Sequence, residues 1–315
     1  MEINAILKGG IRKNTGAING MLSAILWGAD TVLVGVLISK IEGLNFENII
    51  MIAPFISAFL HDLFSSIWMI IYLGFKKQFK NVKKCFKIKS LKYVIIGGAL
   101  GGPIGMAGYL LSIKYLGPSY TAILSSLYPA VGAIMAKILL KDKMNKSGWL
   151  GLVLSISGIV LLGATKLSTF HNNIGIIFVL LCIFGWGSEA VICAIGMKDE
   201  EITSDIALLF RQCTSAIIYG FLIIPIFKGM HVSITVAGSS IITSIILTSI
   251  FGTASYLFYY SAISKIGPTK AMGLNITYFV WAIILEWIFM GNRFSIKTII
   301  IGSIIMFGSY LIAKE

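Results

Sequence analysis

The apolar positions of this chain gather into ten long runs, and the short segments between them hold most of its charges. The runs lie at 15–39, 48–74, 93–115, 118–140, 147–163, 173–197, 205–227, 236–263, 269–290 and 295–313. A helix needs about 20 apolar residues, at 1.5 Å per residue, to cross a hydrocarbon core, and the runs are of that length, the longest two, 48–74 and 236–263, long enough to cross at a tilt. The pattern therefore predicts an all-α polytopic membrane protein with ten transmembrane helices.

The runs also repeat. A Trp-Gly-x-acid tetrapeptide stands in the first run, Trp27-Gly28-Ala29-Asp30, and again in the sixth, Trp186-Gly187-Ser188-Glu189. Further along, an offset of 150 residues pairs Gly102 with Gly252, Tyr109 with Tyr259, Gly117-Pro118 with Gly267-Pro268, Tyr128 with Tyr278 and Gly158 with Gly308. The chain divides into a first five-helix repeat, 1–165, and a second, 173–315. Five crossings per unit force the second copy to sit upside down relative to the first. Inverted repeats of this kind build two-sided access to one midplane site in many secondary transporters. The expectation is transport rather than catalysis.

Composition and charge sharpen this picture. The chain is 57% hydrophobic and 12% charged, far from the mix of a soluble domain. Its net charge of +13 is segregated and does not point to nucleic acid. On the side of the N-terminus stand Lys8, Arg12, Lys13, the eight lysines of the 75–92 segment, Lys141, Lys143, Lys146, Lys198, Lys265, Lys270 and Lys314. The opposite side holds Lys40, Lys114, Lys166, Lys228, Arg293 and Lys297. By the positive-inside rule both termini face the cytoplasm, in the cytoplasmic membrane. The first run is too long for a cleavable signal peptide and contains Asp30. Four scattered cysteines give neither a disulfide framework nor a metal site, and no cofactor is expected. In the lysine-rich segment, Phe79, Val82 and Phe86 recur at spacings of three and four. It reads first as a topology signal and alternatively as a surface for anionic lipid.

Ionisable groups at membrane depth are costly and mark function or a buried network. Asp30, His61, Asp62, Glu189, Arg211, Gln212 and Asn275 lie within runs, with Glu286 nearer a helix end. His61-Asp62 and Arg211-Gln212 are again 150 apart, and either couple transport or only hold helices together. Glu189 reads as an unpaired buried carboxylate and a candidate proton carrier, with Asp62 second.

Aromatic residues supply the sharper hint. Trp186 and Glu189 share a helix face; so do Tyr256, Tyr259 and Tyr260, and so do Asn275 and Tyr278. Trp27 and Tyr128 are the first-half partners of Trp186 and Tyr278. Matched positions converge near the midplane, which predicts a chamber lined by aromatic rings and at least one carboxylate. That chemistry suits a quaternary ammonium cation, which ring faces attract without needing a hydrogen bond. Trp68, Trp149, Trp287 and Tyr72 read instead as interfacial anchors. The Gly98-x-x-x-Gly102 and Gly101-x-x-x-Gly105 spacings read as close helix packing, and Pro103 and Pro129 as kinks.

These residues resemble the drug/metabolite transporter superfamily and, within it, the bacterial choline permeases found with phosphocholine-decoration genes. The resemblance rests on Phe59-Leu60-His61-Asp62, Gly102-Pro103-Ile104-Gly105-Met106, Tyr128-Pro129-Ala130, Trp186-Gly187-Ser188-Glu189, Arg211-Gln212, Ser255-Tyr256-Leu257 with Tyr259-Tyr260, and Gly273-Leu274-Asn275 with Tyr278. It implies choline uptake by alternating access, coupled to protons or to membrane potential. The implied aromatic box draws on Trp27, Trp186, Tyr259 and Tyr278, with Glu189 as the charge. Asp30 departs from that permease pattern. The full candidate set is Trp27, Trp186, Glu189, Tyr256, Tyr259, Asn275 and Tyr278 for substrate, with Asp30, His61, Asp62, Arg211 and Gln212 as a coupling network. Two other readings stay open: a broader metabolite or drug exporter of the same superfamily, and a membrane-embedded enzyme using His61-Asp62. The second has no His-Glu-x-x-His or nucleophile elbow to support it.

Overall fold

In a computed structural model the chain is helical throughout the described residues, 2–141, 145–167, 174–291 and 295–313, with no strand among them. Lys143, Arg293, Lys314 and the first position of the second repeat, Asn173, lie outside them. We number the helices α1 (Glu2–Glu42), α2 (Ile49–Phe75), α3 (Phe79–Cys85), α4 (Leu91–Leu116), α5 (Pro118–Leu140) and α6 (Lys146–Leu167). They continue as α7 (Ile174–Gly196), α8 (Ser204–Ile226), α9 (Met230–Ala237), α10 (Ile242–Ile266), α11 (Pro268–Met290) and α12 (Ile296–Ala313).

Eight of these, α1, α2, α4, α5, α7, α8, α10 and α11, are long and apolar enough to cross a membrane. Together they make a polytopic membrane protein. The fifth and tenth runs of the sequence form α6 and α12, which pack chiefly on each other. Their contact is tight because Gly151 and Gly308 face one another: a methyl on Gly151 would lie 2.8 Å from Leu311 Cβ. Ser155 Oγ also donates to the Ile305 carbonyl at 3.3 Å.

Several boundaries differ from the sequence reading. The eighth run was expected to start at 236, but the helix begins at Ile242, after a turn through Gly238-Ser239-Ser240 that separates it from the short α9. Glycine and serine there favour a turn over a continuous span. Pro103 does not simply kink α4. Leu100–Met106 winds as π-helix around it, the wide turn that accommodates a missing backbone N–H. Helices α5 and α11 each break once, at Ser126-Leu127 and Ile276-Thr277, again 150 residues apart. Pro129 accounts for the first break. The second has no proline, and Thr277 Oγ1 donates back to the Leu274 carbonyl at 3.0 Å. Before both broken helices, Gly117 and Gly267 adopt the same left-handed-φ geometry, φ 81° ψ 164° and φ 84° ψ 161°, ahead of a proline in the first turn. Only glycine adopts that backbone at low cost.

The lysine-rich segment carries α3, whose Cys85 is buried and donates to the Glu201 carbonyl, while Phe79 and Phe86 stay exposed. Lys76 Nζ pairs with Asp205 at 2.8 Å and ties the segment to the start of α8. Of the aromatics read as anchors, Trp287 is exposed, whereas Trp68 Nε1 donates to Ser249 Oγ at 3.0 Å. Glu286 is buried and accepts the backbone N–H of Ser119 at 3.2 Å in the first turn of α5, where unpaired amides collect.

Candidate functional site

Near the middle of α1, α5, α7, α10 and α11 the side chains line a small chamber of about 30 Å³. One end is aromatic. Trp27, Trp186 and Tyr256 form it, with Trp27 packed edge-on to Trp186 at 5.4 Å and to Tyr256 at 5.2 Å between ring centroids. Tyr128 meets Trp186 at 6.0 Å and 89°, and Tyr109 backs both tryptophans from α4. The other end is polar. Tyr128 donates to Asn275 Oδ1 at 2.9 Å, Asn275 Nδ2 donates to Ser23 Oγ at 2.6 Å, and Ser255 Oγ donates to the Ser23 carbonyl at 2.9 Å. Tyr259 also lines the chamber, and its buried hydroxyl has no hydrogen-bond partner.

Six of the seven residues expected to bind substrate meet here: Trp27, Trp186, Glu189, Tyr256, Tyr259 and Asn275. Tyr278 does not line the chamber. Its hydroxyl pairs with Ser125 Oγ at 2.6 Å and donates to the Ala122 carbonyl at 3.1 Å, because the break in α11 turns it towards α5. Its first-half counterpart Tyr128 takes a place in the wall instead. Ser23 was not singled out from the sequence, and Ser255 only within the Ser255-Tyr256-Leu257 motif. Serines are common on membrane helices, and only the contact between α1 and α10 distinguishes these two.

Glu189 stands in the chamber wall, but it is not an unpaired carboxylate. Arg211 Nε donates to its Oε1 at 2.8 Å and Tyr260 OH to the same oxygen at 2.7 Å. A one-dimensional reading placed Arg211 with His61 and Asp62; the packing of α8 on α2 and α4, with α7 on α4 as well, gives it to both acids. Its Nη1 reaches Asp62 Oδ2 at 3.4 Å and Gln212 Oε1 at 2.6 Å, and Nη2 donates to Tyr256 OH at 2.9 Å. The guanidinium also lies over the Tyr256 ring, 4.5 Å from its centroid, so one face of that ring is already engaged.

From Asp62 the network runs on. Ser215 Oγ donates to Asp62 at 2.5 Å, and His61 Nδ1 lies 3.1 Å from Asp62 Oδ1. His61 Nε2 sits 3.5 Å from Asp30 Oδ1, yet neither atom completes a hydrogen bond. All five sequence-selected network residues, Asp30, His61, Asp62, Arg211 and Gln212, are therefore one contiguous group across α1, α2 and α8, and they are almost wholly shielded from solvent. Gln212 Nε2 is left unpartnered beside it. Among the described residues no cluster of His, Cys, Asp and Glu has the arrangement to hold a metal ion.

The glycines of α4 serve this group directly. A methyl on Gly101 would come within 2.9 Å of Glu189 Cγ and closer still to its carboxylate. On Gly105 it would meet Trp186 Nε1 at 3.0 Å. The small-residue spacing thus makes room for the two side chains that define the chamber's charge and its ring, as well as for the helix that carries them.

A family model described as EamA-like transporter family matches residues 14–164 and 173–314. Protein LicB of Haemophilus influenzae is 37% identical over 276 residues, 87% of this chain and 88% of that protein. Riboflavin transporter ImpX of Fusobacterium nucleatum is 24% identical over 290 residues, 89% of this chain and 91% of the relative. A crystal structure 14% identical in sequence superposes with a TM-score of 0.63 over 95% of this chain and 96% of its own, a likeness of fold alone. With a buried polar chamber inside a bundle of apolar helices, and a match over nearly the whole chain, this protein belongs to the EamA-like transporter family and is a membrane transporter rather than an enzyme.

Proposed function

We propose that this transporter imports choline or a closely related quaternary ammonium alcohol by alternating access. The observation that carries the reading is the chamber itself, with Trp27 and Trp186 at one end, Glu189 in the wall and a hydroxyl- and amide-lined opposite end. Ring faces and a carboxylate suit a trimethylammonium head that cannot donate a hydrogen bond. The polar end suits an alcohol.

The family fold is shared by carriers of unlike molecules, so the lining residues rather than the fold select the substrate. The sequence resemblance to choline permeases agrees with the lining. A transporter built as two inverted five-helix halves, with both termini cytoplasmic, gives a midplane chamber of this kind, and the matched breaks in α5 and α11 support that symmetry.

An inside-negative potential favours entry of a fixed cation by ~2.3 kcal/mol per 100 mV, enough at roughly 150 mV for a gradient of a few hundredfold. Proton coupling adds to this through the Asp30–His61–Asp62 group. Its Asp30 Oδ1 and His61 Nε2 face each other without a completed hydrogen bond, whereas Glu189 is held by Arg211 and Tyr260. Radiolabelled choline uptake into proteoliposomes tests the reading. Accumulation under an inside-negative potential is expected; a protein that binds and moves no quaternary ammonium compound refutes it.

A further inference from the structure

Helices α1 and α10 meet along a row of small and polar residues that leads from the chamber to the end of the molecule carrying Arg12. At the outer end Arg12 Nη2 donates to the Ser264 carbonyl at 3.0 Å. Two turns inward the Asn19 amide bonds Ser261 Oγ at 2.8 Å, and Lys265 Nζ donates to the same hydroxyl at 2.7 Å. One turn further, Ser23 meets Ser255 and opens onto the chamber. Gly16 and Gly20 fill the positions between, and a methyl on Gly20 would lie 2.9 Å from Leu274 Cβ. The row runs from Arg12 to Ser23 of α1, twelve residues and about 16 Å of helix.

Its outer end opens into a vestibule of about 550 Å³ whose walls include Arg12, Lys198, Asp199, Ser264 and Pro268. The opposite end of the chamber is closed differently. There Tyr109 packs on Trp27 and Trp186, and its hydroxyl pairs with Thr31 Oγ1 at 2.7 Å. Parting those rings would expose a large apolar area to water. The bonds of the α1–α10 seam, by contrast, exchange for bonds to water at small net cost, and the side chains packed on its glycines, Ile266 on Gly16 and Leu274 on Gly20, are aliphatic and not stacked rings. Of the two closures, the seam is the one built to open from this conformation.

We propose that the α1–α10 seam is the passage between the chamber and the Arg12 side, and that the Asn19–Ser261 contact is its thin closure. The proposal rests on the chamber reading above for its cargo, but not for its geometry. A thiol reagent bearing a trimethylammonium head, 2-(trimethylammonium)ethyl methanethiosulfonate, tests it on the purified full chain. The target is Ser23→Cys. Three of the four native cysteines are buried and one half-buried, and the unsubstituted protein gives the background rate. Adding Asn19→Ala, or Ser261→Ala from the other side of the same bond, is expected to speed modification about 5–10-fold, the worth of one lost hydrogen bond. An unchanged rate in both variants overturns the proposal. Protection of Ser23→Cys by choline speaks only to the cargo, so faster modification without protection would count against choline and leave the passage standing. In proteoliposomes, oxidising the Asn19→Cys/Ser261→Cys pair to a disulfide is expected to stop uptake, with recovery on reduction. Uptake that continues undiminished through a complete disulfide overturns the proposal.

Discussion

Arg211 donates from Nε to Glu189 Oε1 at 2.8 Å, with both side chains almost fully buried, and this pair joins the chamber wall to the acid–histidine group behind it. The carboxylate in the chamber wall is therefore held in place by a fixed charge. Removing either partner strands the other. Breaking a buried pair costs about 3–5 kcal/mol, whereas replacing both partners is far better tolerated. Glu189→Gln is expected to lower thermal stability and choline affinity together. Glu189→Gln/Arg211→Met is expected to recover much of the stability but not the binding. Thermal unfolding and calorimetry on the detergent-solubilised protein separate the two effects.

The rings predict charge selectivity. Trp186→Ala is expected to weaken choline binding by about 1–2 kcal/mol, roughly 5–30-fold. The neutral isostere 3,3-dimethyl-1-butanol should bind much more weakly than choline to the unsubstituted protein. Equal calorimetric affinities for the alcohol and choline would remove the cage.

Tyr259 carries a hydroxyl at the chamber wall with no partner of its own. In the choline complex it is expected to bond the alcohol. Tyr259→Phe should then weaken choline by about one hydrogen bond, near 1 kcal/mol, while leaving propyltrimethylammonium unchanged. Loss of affinity for both ligands alike would assign the residue to packing.

Driving force is read in vesicles clamped at zero potential. An inward proton gradient is expected to stimulate choline uptake, and His61→Gln is expected to abolish the stimulation while sparing exchange. Uptake indifferent to the gradient would leave the potential alone as the driving force.

Orientation follows from the basic residues. Lys84→Cys should resist an impermeant thiol reagent in intact cells and react after the membrane is opened. Rapid labelling from outside would invert the topology.

The sequence by itself determined the class and much of the cast. Apolar runs of membrane length are satisfied by helices, so run length was enough to read an all-helical membrane protein, and eight of the ten runs form helices long and apolar enough to cross a membrane. Trp186, Glu189, Tyr256, Tyr259 and Asn275 stood out because polar and aromatic groups at that depth need a reason. The 150-residue offset exposed Gly117 and Gly267, whose backbone only glycine adopts at low cost. What the sequence left undecided depends on which helix faces which. Glu189 and Arg211 are twenty-two residues apart and share no helix, so their pairing exists only once α7 and α8 both pack on α4. The same holds for Ser23 with Ser255, and for the glycines of α4 beneath Glu189 and Trp186. Tyr278 shares a helix face with Asn275 in the sequence and stands in the aromatic box that the resemblance implies, but a break in α11 without a proline to announce it turns the hydroxyl towards Ser125. Side-chain chemistry is written along one dimension; the partners that neutralise a buried charge, or close a passage, are fixed only by packing in three.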